Sequence, residues 1–109
     1  MRQKYEVIFF TNGSSRPVQK FIASLSKNTH SKISRAINVL EAYGPDIGMP
    51  RARRMSNNLW ELRIKGLENI RFFYCAKNES VILLHGFKKK TQKTPAKELE
   101  IAKKRLTHI

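Results

Sequence analysis

Basic and hydrophobic residues alternate over the second half of the chain, in residues 60–63, 71–74 and 85–90. Residues two apart on a strand share one face of the sheet, so cations on neighbouring strands can be held together rigidly. Guanidinium groups present paired, planar donors to phosphate oxygens. The pattern therefore predicts a sheet face that binds a polyanion, and RNA is the polyanion that we expect.

Cleavage of RNA without a metal is a reaction that this set of residues can perform. The 2′-hydroxyl must lose a proton, the pentavalent phosphate must be stabilised, and the 5′-oxygen must gain a proton. Arg63 and Arg71 are the expected clamp on the non-bridging oxygens, and Lys88 adds charge beside them. Glu61 is either the general base or the residue that orients the arginines. The candidate acids are a lysine of lowered pKa and His85, which also fits an inward, hydrogen-bonded core position.

The predicted register places Glu61, Arg63 and Arg71 together on a solvent-exposed face, opposite a face that helices cover. An ordinary surface with cross-strand Glu–Arg pairs is the alternative, but several cations and one carboxylate favour phosphate binding over mutual pairing. Further RNA contacts are expected from cations on or beside this face and from one ring on which an unpaired base can stack. These residues are Arg53, Arg54, Lys65, Lys89, Lys90 and Phe73.

The elements that must position these residues follow from the hydrophobic pattern. Strands are predicted at residues 4–10, 58–65, 69–76 and 80–88. Pro17 suits the first turn of one helix, Gly44-Pro45 ends a second, and Thr94-Pro95 opens the last. Residues 46–58 are predicted as loop or short strand. The order β-α-α-β-β-β-α indicates an α+β fold. We expect a twisted antiparallel sheet of about four strands, with the two N-terminal helices on one face, and a C-terminal helix.

Composition limits the function further. The length of 109 residues predicts a single domain over residues 1–109, and 22 Lys and Arg against 8 Asp and Glu give a formal charge of +14. Such an excess implies an acidic partner. Residues 1–4 show no cleavage site, and no apolar run approaches ~18 residues, so we expect no signal peptide, no membrane span and a cytoplasmic location. The scattered acids and the single cysteine, Cys75, lead us to expect no metal and no cofactor.

Several of these segments together resemble a known family. They are residues 59–63, 71–74 and 83–91, then Lys93-Thr94-Pro95 and residues 98–102. The run is similar to the RelE/ParE toxin superfamily, in particular to its HigB-like, phage Gp49-related branch. The likeness covers nearly the whole chain, and the predicted order of elements agrees with it. The strand that ends in Phe87-Lys88-Lys89, followed by the Thr-Pro helix start, is the most specific part.

The resemblance implies the toxin of a type II toxin–antitoxin system. Such toxins cut mRNA in the ribosomal A site and are silenced by a tightly bound antitoxin, here expected to be acidic or to carry a helix-turn-helix domain. By the same likeness, Arg63, Arg71 and the lysines after Phe87 match the basic positions of the family's active face. Two alternatives remain: a ParE-like toxin that inhibits DNA gyrase, and a module that binds RNA without cutting it.

Overall fold

The computed structural model of the chain describes residues 4–109. Residues 1–3, which are part of the segment used to expect no signal peptide, lie outside that range. The elements in chain order are β1 (Glu6–Phe9), α1 (Pro17–Ala23), α2 (Lys27–Tyr43), β2 (Ala52–Ser56), β3 (Leu59–Ile64), β4 (Ile70–Lys77), β5 (Ser80–Lys88) and α3 (Ala96–Leu106). The predicted α+β class is confirmed. No helix within residues 4–109 is long and apolar enough to cross a membrane.

The sheet has five strands in the order β1-β5-β4-β3-β2. Strands β2 to β5 are antiparallel neighbours, whereas β1 runs parallel to β5. The sheet thus has one strand more than the about four expected, and the parallel strand β1 makes it mixed rather than wholly antiparallel. The additional strand, β2, comes from the segment predicted as loop or short strand. Only its first residue, Ala52, is buried, so its apolar pattern is weak.

Helices cover both faces of the sheet. On one face α1 packs against β5 and α2 packs against β1 and β3. On the other face α3 contacts β4 and β5. Phe21 of α1 meets Phe72 edge to face, with ring centroids 5.9 Å apart. The approach is so close that a Cβ atom on Gly86 would lie 2.6 Å from both rings, so this position requires glycine. Because α3 lies over β4 and β5 on the face that carries the predicted site, this face is not fully open to solvent, and the expectation of a solvent-exposed face is corrected.

One carboxylate ties the start of α2 to the turn between β3 and β4. The Glu68 carboxylate accepts hydrogen bonds from the hydroxyl groups of Ser26 and Thr29, and it forms an ion pair with Lys88 at 3.2 Å. Ser26 is also the N-cap of α2, since its hydroxyl accepts from the Thr29 N–H at 3.2 Å. The bond from Thr29, the interaction with Lys88 and the bond from Ser26 lower the pKa of Glu68 to about 2.

This arrangement predicts how stability depends on pH. Because the pKa of Glu68 falls from 4.5 to about 2 on folding, its contribution is complete above pH 4.5 and is lost as pH falls toward 2. We expect Glu68→Gln to lower Tm at neutral pH and to flatten the acid part of the curve of Tm against pH. Glu79→Gln, at an exposed turn, is the matched control and should leave the curve unchanged. Parallel curves for Glu68→Gln and the parent protein would contradict the assignment.

Candidate active site

Arg63 and Arg71 lie directly opposite each other on the antiparallel strands β3 and β4. Opposite residues in such a pair share a face, with Cβ atoms about 5 Å apart. Glu61 shares that face two residues earlier on β3, opposite Phe73. The expectation that neighbouring strands bring the two arginines together is therefore confirmed. Two cations in this position repel each other unless an anion lies between or beside them.

A groove with a volume of about 620 Å³ opens over the two arginines, and we call it the phosphate groove. Its walls come from the ends of β3 and β4 and from the segment that follows β5. Five of its eight lining residues are cations, and none is acidic. The lining residues are Arg63, Lys65, Asn69, Arg71, Lys89, Lys90, Thr91 and Gln92. Three predicted RNA contacts, Lys65, Lys89 and Lys90, thus lie beside the predicted phosphate clamp.

The guanidinium of Arg71 is largely buried but incompletely bonded. Its side chain is about nine-tenths buried, and its Nη1 donates to the Ile70 carbonyl at 3.3 Å. The buried Nε atoms of Arg71 and Arg63 have no hydrogen-bond partner within residues 4–109. Desolvation lowers the pKa of Arg71, while the nearby Glu61 opposes that shift. These two Nε atoms are closed to a ligand, so an anion in the groove can be held only by the part of each arginine that lines it.

Glu61 is fully buried, so the expectation that it faces solvent was wrong. The segment before α3 covers it, and the Thr94 hydroxyl donates to its Oε2 at 2.8 Å. Its Oε1 lies 3.7 Å from Nη2 of Arg53 and 4.0 Å from Nε of Arg71. Glu61 does not line the phosphate groove. This geometry favours the interpretation in which Glu61 orients the arginines, and Arg53, half-exposed, lies at the rim of the same cluster.

His85 lies on the face of the sheet that carries Arg71, but both of its ring nitrogens are directed to α3. Its Nε2 is 2.7 Å from Oε1 of Glu98, and its Nδ1 is 3.4 Å from Nη1 of Arg105. Arg105 also donates to the Leu84 carbonyl at 2.8 Å. Burial lowers the pKa of His85, with Glu98 opposing the shift. His85 does not line the phosphate groove, and these contacts correspond to the inward, hydrogen-bonded alternative.

Three other predicted site residues lie away from the groove. Lys88 is opposite Ile70 on the α1–α2 face of the sheet and pairs with Glu68. Arg54 is on that face too, with its guanidinium 5.4 Å from the centroid of the Trp60 ring. Phe73 is completely buried, and its ring stacks on that of Phe87 at 5.6 Å. No base can stack on Phe73 in this arrangement.

The lysine with the most suitable surroundings for proton transfer is Lys89. It is half-buried in the phosphate groove. Partial burial and the positive charge of Arg71 lower its pKa. The sequence alone gave no reason to separate Lys89 from its neighbours Lys88 and Lys90. It also gave no signal for Asn69, Thr91 and Gln92 as groove residues, because Asn69 is an uncharged residue at the start of a predicted strand and the other two follow the last strand.

The described residues hold no group of three or more His, Cys, Asp or Glu side chains that is able to bind a metal ion. The sequence model of one protein family, described as "Phage derived protein Gp49-like", matches residues 20–107. The match runs from α1 through α3 and includes every residue of the phosphate groove. No curated protein matches the chain.

Proposed function

Because the Gp49-like family model matches residues 20–107, the chain belongs to the phage-derived Gp49-like family of RelE/HigB-like toxins, and we propose that it cuts translated mRNA. In this proposal it is the toxin of a type II toxin–antitoxin pair, a single catalytic domain of the HigB-like branch. It acts in the cytoplasm on mRNA in the ribosomal A site, without a metal or cofactor. A cognate antitoxin neutralises it, and the charge of +14 favours a partner with acidic segments.

The phosphate groove is the observation that carries this proposal. It combines a directly opposed arginine pair with three lysines and has no carboxylate among its lining residues. A surface that only keeps a protein soluble gains nothing from burying a guanidinium whose Nε is left unbonded. A phosphodiester supplies the missing negative charge, and acceptors for the donors that the two arginines present to the groove. The groove therefore supports an RNA substrate better than it supports a purely solvated surface.

The proposed reaction is an in-line attack by the 2′-oxygen on the adjacent phosphorus. The bond between the 2′-oxygen and phosphorus forms as the bond from phosphorus to the 5′-oxygen breaks, which gives a 2′,3′-cyclic phosphate and a 5′-hydroxyl. Arg63 and Arg71 hold the non-bridging oxygens, whose charge grows in the transition state. Lys89 donates the proton to the leaving 5′-oxygen, a role worth typically 10²–10⁴-fold in rate. The proton of the 2′-hydroxyl passes to water or to a ribosomal group, since no carboxylate or imidazole lines the groove.

A purified translation system with mapping of RNA 5′ ends tests this function. We expect new 5′ ends within the message when it is translated, and none when a missing initiation factor keeps the ribosomes from starting. Supercoiling by DNA gyrase should be unaffected at the same toxin concentration. Gyrase inhibition without new 5′ ends would instead establish the ParE-like alternative, and RNA binding with neither effect would leave a non-catalytic module.

A further inference from the structure

A second groove adjoins the first on the other side of β3, and we call it the α2 groove. It has a volume of about 310 Å³ and lies between α2 and β3. Its floor is apolar, formed by Ala36, Val39, Leu62 and Ile64. Its rim is basic, formed by Lys32, Arg35, Arg51, Arg63 and Lys65. Arg63 and Lys65 line both grooves, so the two meet at these residues.

The α2 groove exists because β2 is shorter than β3. The ladder between them begins at the pair Ala52 and Leu62, and the Arg63 N–H donates to the Arg51 carbonyl at 2.8 Å. Past that bond no strand of the described residues covers the edge of β3, so the groove reaches down to Leu62 and Ile64, which are themselves almost fully buried, while Ala36 and Val39 of α2 are partly exposed. Nζ of Lys32 donates to the Lys65 carbonyl at 3.0 Å and fixes the end of the groove.

Within residues 4–109 no carboxylate forms an ion pair with a rim cation. Arg35 and Arg51 are exposed, and neither forms an ion pair with a carboxylate anywhere in residues 4–109. None of the nine residues that line the α2 groove is acidic. Unpaired cations along a groove are the feature by which surfaces that take single-stranded nucleic acid hold its phosphates. The floor here is aliphatic, so riboses or bases meet it by apolar contact and not by ring stacking. A duplex would present its phosphates but could not lay a base on the floor.

We propose that one RNA strand occupies both grooves, passing Arg63 and Lys65 and continuing in the α2 groove with its phosphates on Arg35 and Arg51. This inference rests on the proposed RNA substrate and extends it to the nucleotides that flank the scissile phosphate. The meeting of the two grooves at Arg63 and Lys65 favours the substrate strand over a separate acidic protein. The α2 groove then supplies affinity without taking part in bond cleavage.

Binding of uncleavable RNA tests the proposal directly. The probes are a trinucleotide and an oligonucleotide of about ten residues, both fully 2′-O-methylated, because only the longer one can span both grooves. The double variant Arg35→Gln/Arg51→Gln should bind the longer probe about tenfold more weakly, with the slope of log affinity against log salt reduced by about 1.4. Its affinity for the trinucleotide should not change.

The control variant Lys103→Gln/Lys104→Gln removes the same charge from exposed positions of α3. It should change the affinity for the longer probe by less than about twofold, since only long-range charge is lost. The inference is overturned if the α2-groove variant binds the longer probe normally, loses no more affinity than the control, or loses equal affinity for both probes. Normal binding to both probes with weakened binding to vacant ribosomes would assign the groove to ribosomal RNA and also overturn it. Tight binding of the probes without any mRNA cleavage would refute the proposed function alone.

Discussion

Replacement of Arg71 by glutamine should lower translation-dependent mRNA cleavage by roughly 10³-fold or more, because it removes fixed positive charge from the developing phosphorane. The same change at Arg63, directly opposite, should have an effect of similar size. Arg71→Lys should recover only part of the activity, since an ammonium keeps the charge but loses the planar pair of donors. The measurement is the rate of appearance of new 5′ ends in a purified translation system.

The control for Arg71→Gln is Arg16→Gln, which removes an exposed arginine just before α1. It should cleave at the parental rate. Because Arg71 is buried beside Glu61, every variant needs a thermal melt to show that it is folded at the assay temperature. A folded Arg71→Gln protein with parental activity would exclude this residue from the mechanism, and with it the phosphate clamp.

Strand alternation explains why the arginine pair could be predicted. Residues 59–64 and 70–77 form regular strands joined by a short turn, so the period of two fixes which side chains share a face. The pairing of Arg63 with Arg71 needs no knowledge of the rest of the fold. The burial of Glu61 does need it, because Thr94 and the segment before α3 cover this carboxylate from a distant part of the chain.

The positions on β5 were harder to predict, for a local reason. The register shifts between Phe73, which pairs with His85, and Tyr74, which pairs with Leu83, so Leu84 is the extra residue of a bulge in β5. Leu83 and His85 consequently lie on opposite faces, although simple alternation places residues two apart together. Hydrophobic pattern alone does not reveal such a shift. The three lysines at the end of β5 also differ in their surroundings. Lys88 is still paired in the strand, opposite Ile70, whereas Lys89 and Lys90 lie past its end and line the phosphate groove.

Replacement of Glu61 by alanine should cost about 3–5 kcal/mol in the free energy of unfolding, the usual effect of removing one partner of a buried ion pair. The change would leave Arg71 buried without its nearest negative charge and would deprive the Thr94 hydroxyl of its acceptor. Urea denaturation measures this loss. Glu98→Ala, which removes a carboxylate from the partly exposed pair with His85, is the comparison and should cost clearly less. An equal or smaller loss for Glu61→Ala would show that the buried cluster does not stabilise the fold.

Glu61→Gln separates the two roles considered for this carboxylate, because glutamine keeps the shape and can still accept from Thr94. If Glu61 orients the arginines, kcat falls while the pH–rate profile keeps its form; if it is the general base, the acid limb of that profile disappears. The double variant Glu61→Gln/Arg71→Gln adds a thermodynamic test. Since it removes both charges of the buried pair, it should be destabilised by at least ~1 kcal/mol less than the sum of the two single changes. Simple additivity would mean that the 4.0 Å approach of Arg71 to Glu61 carries no coupling, and that the carboxylate does not hold the arginine in place.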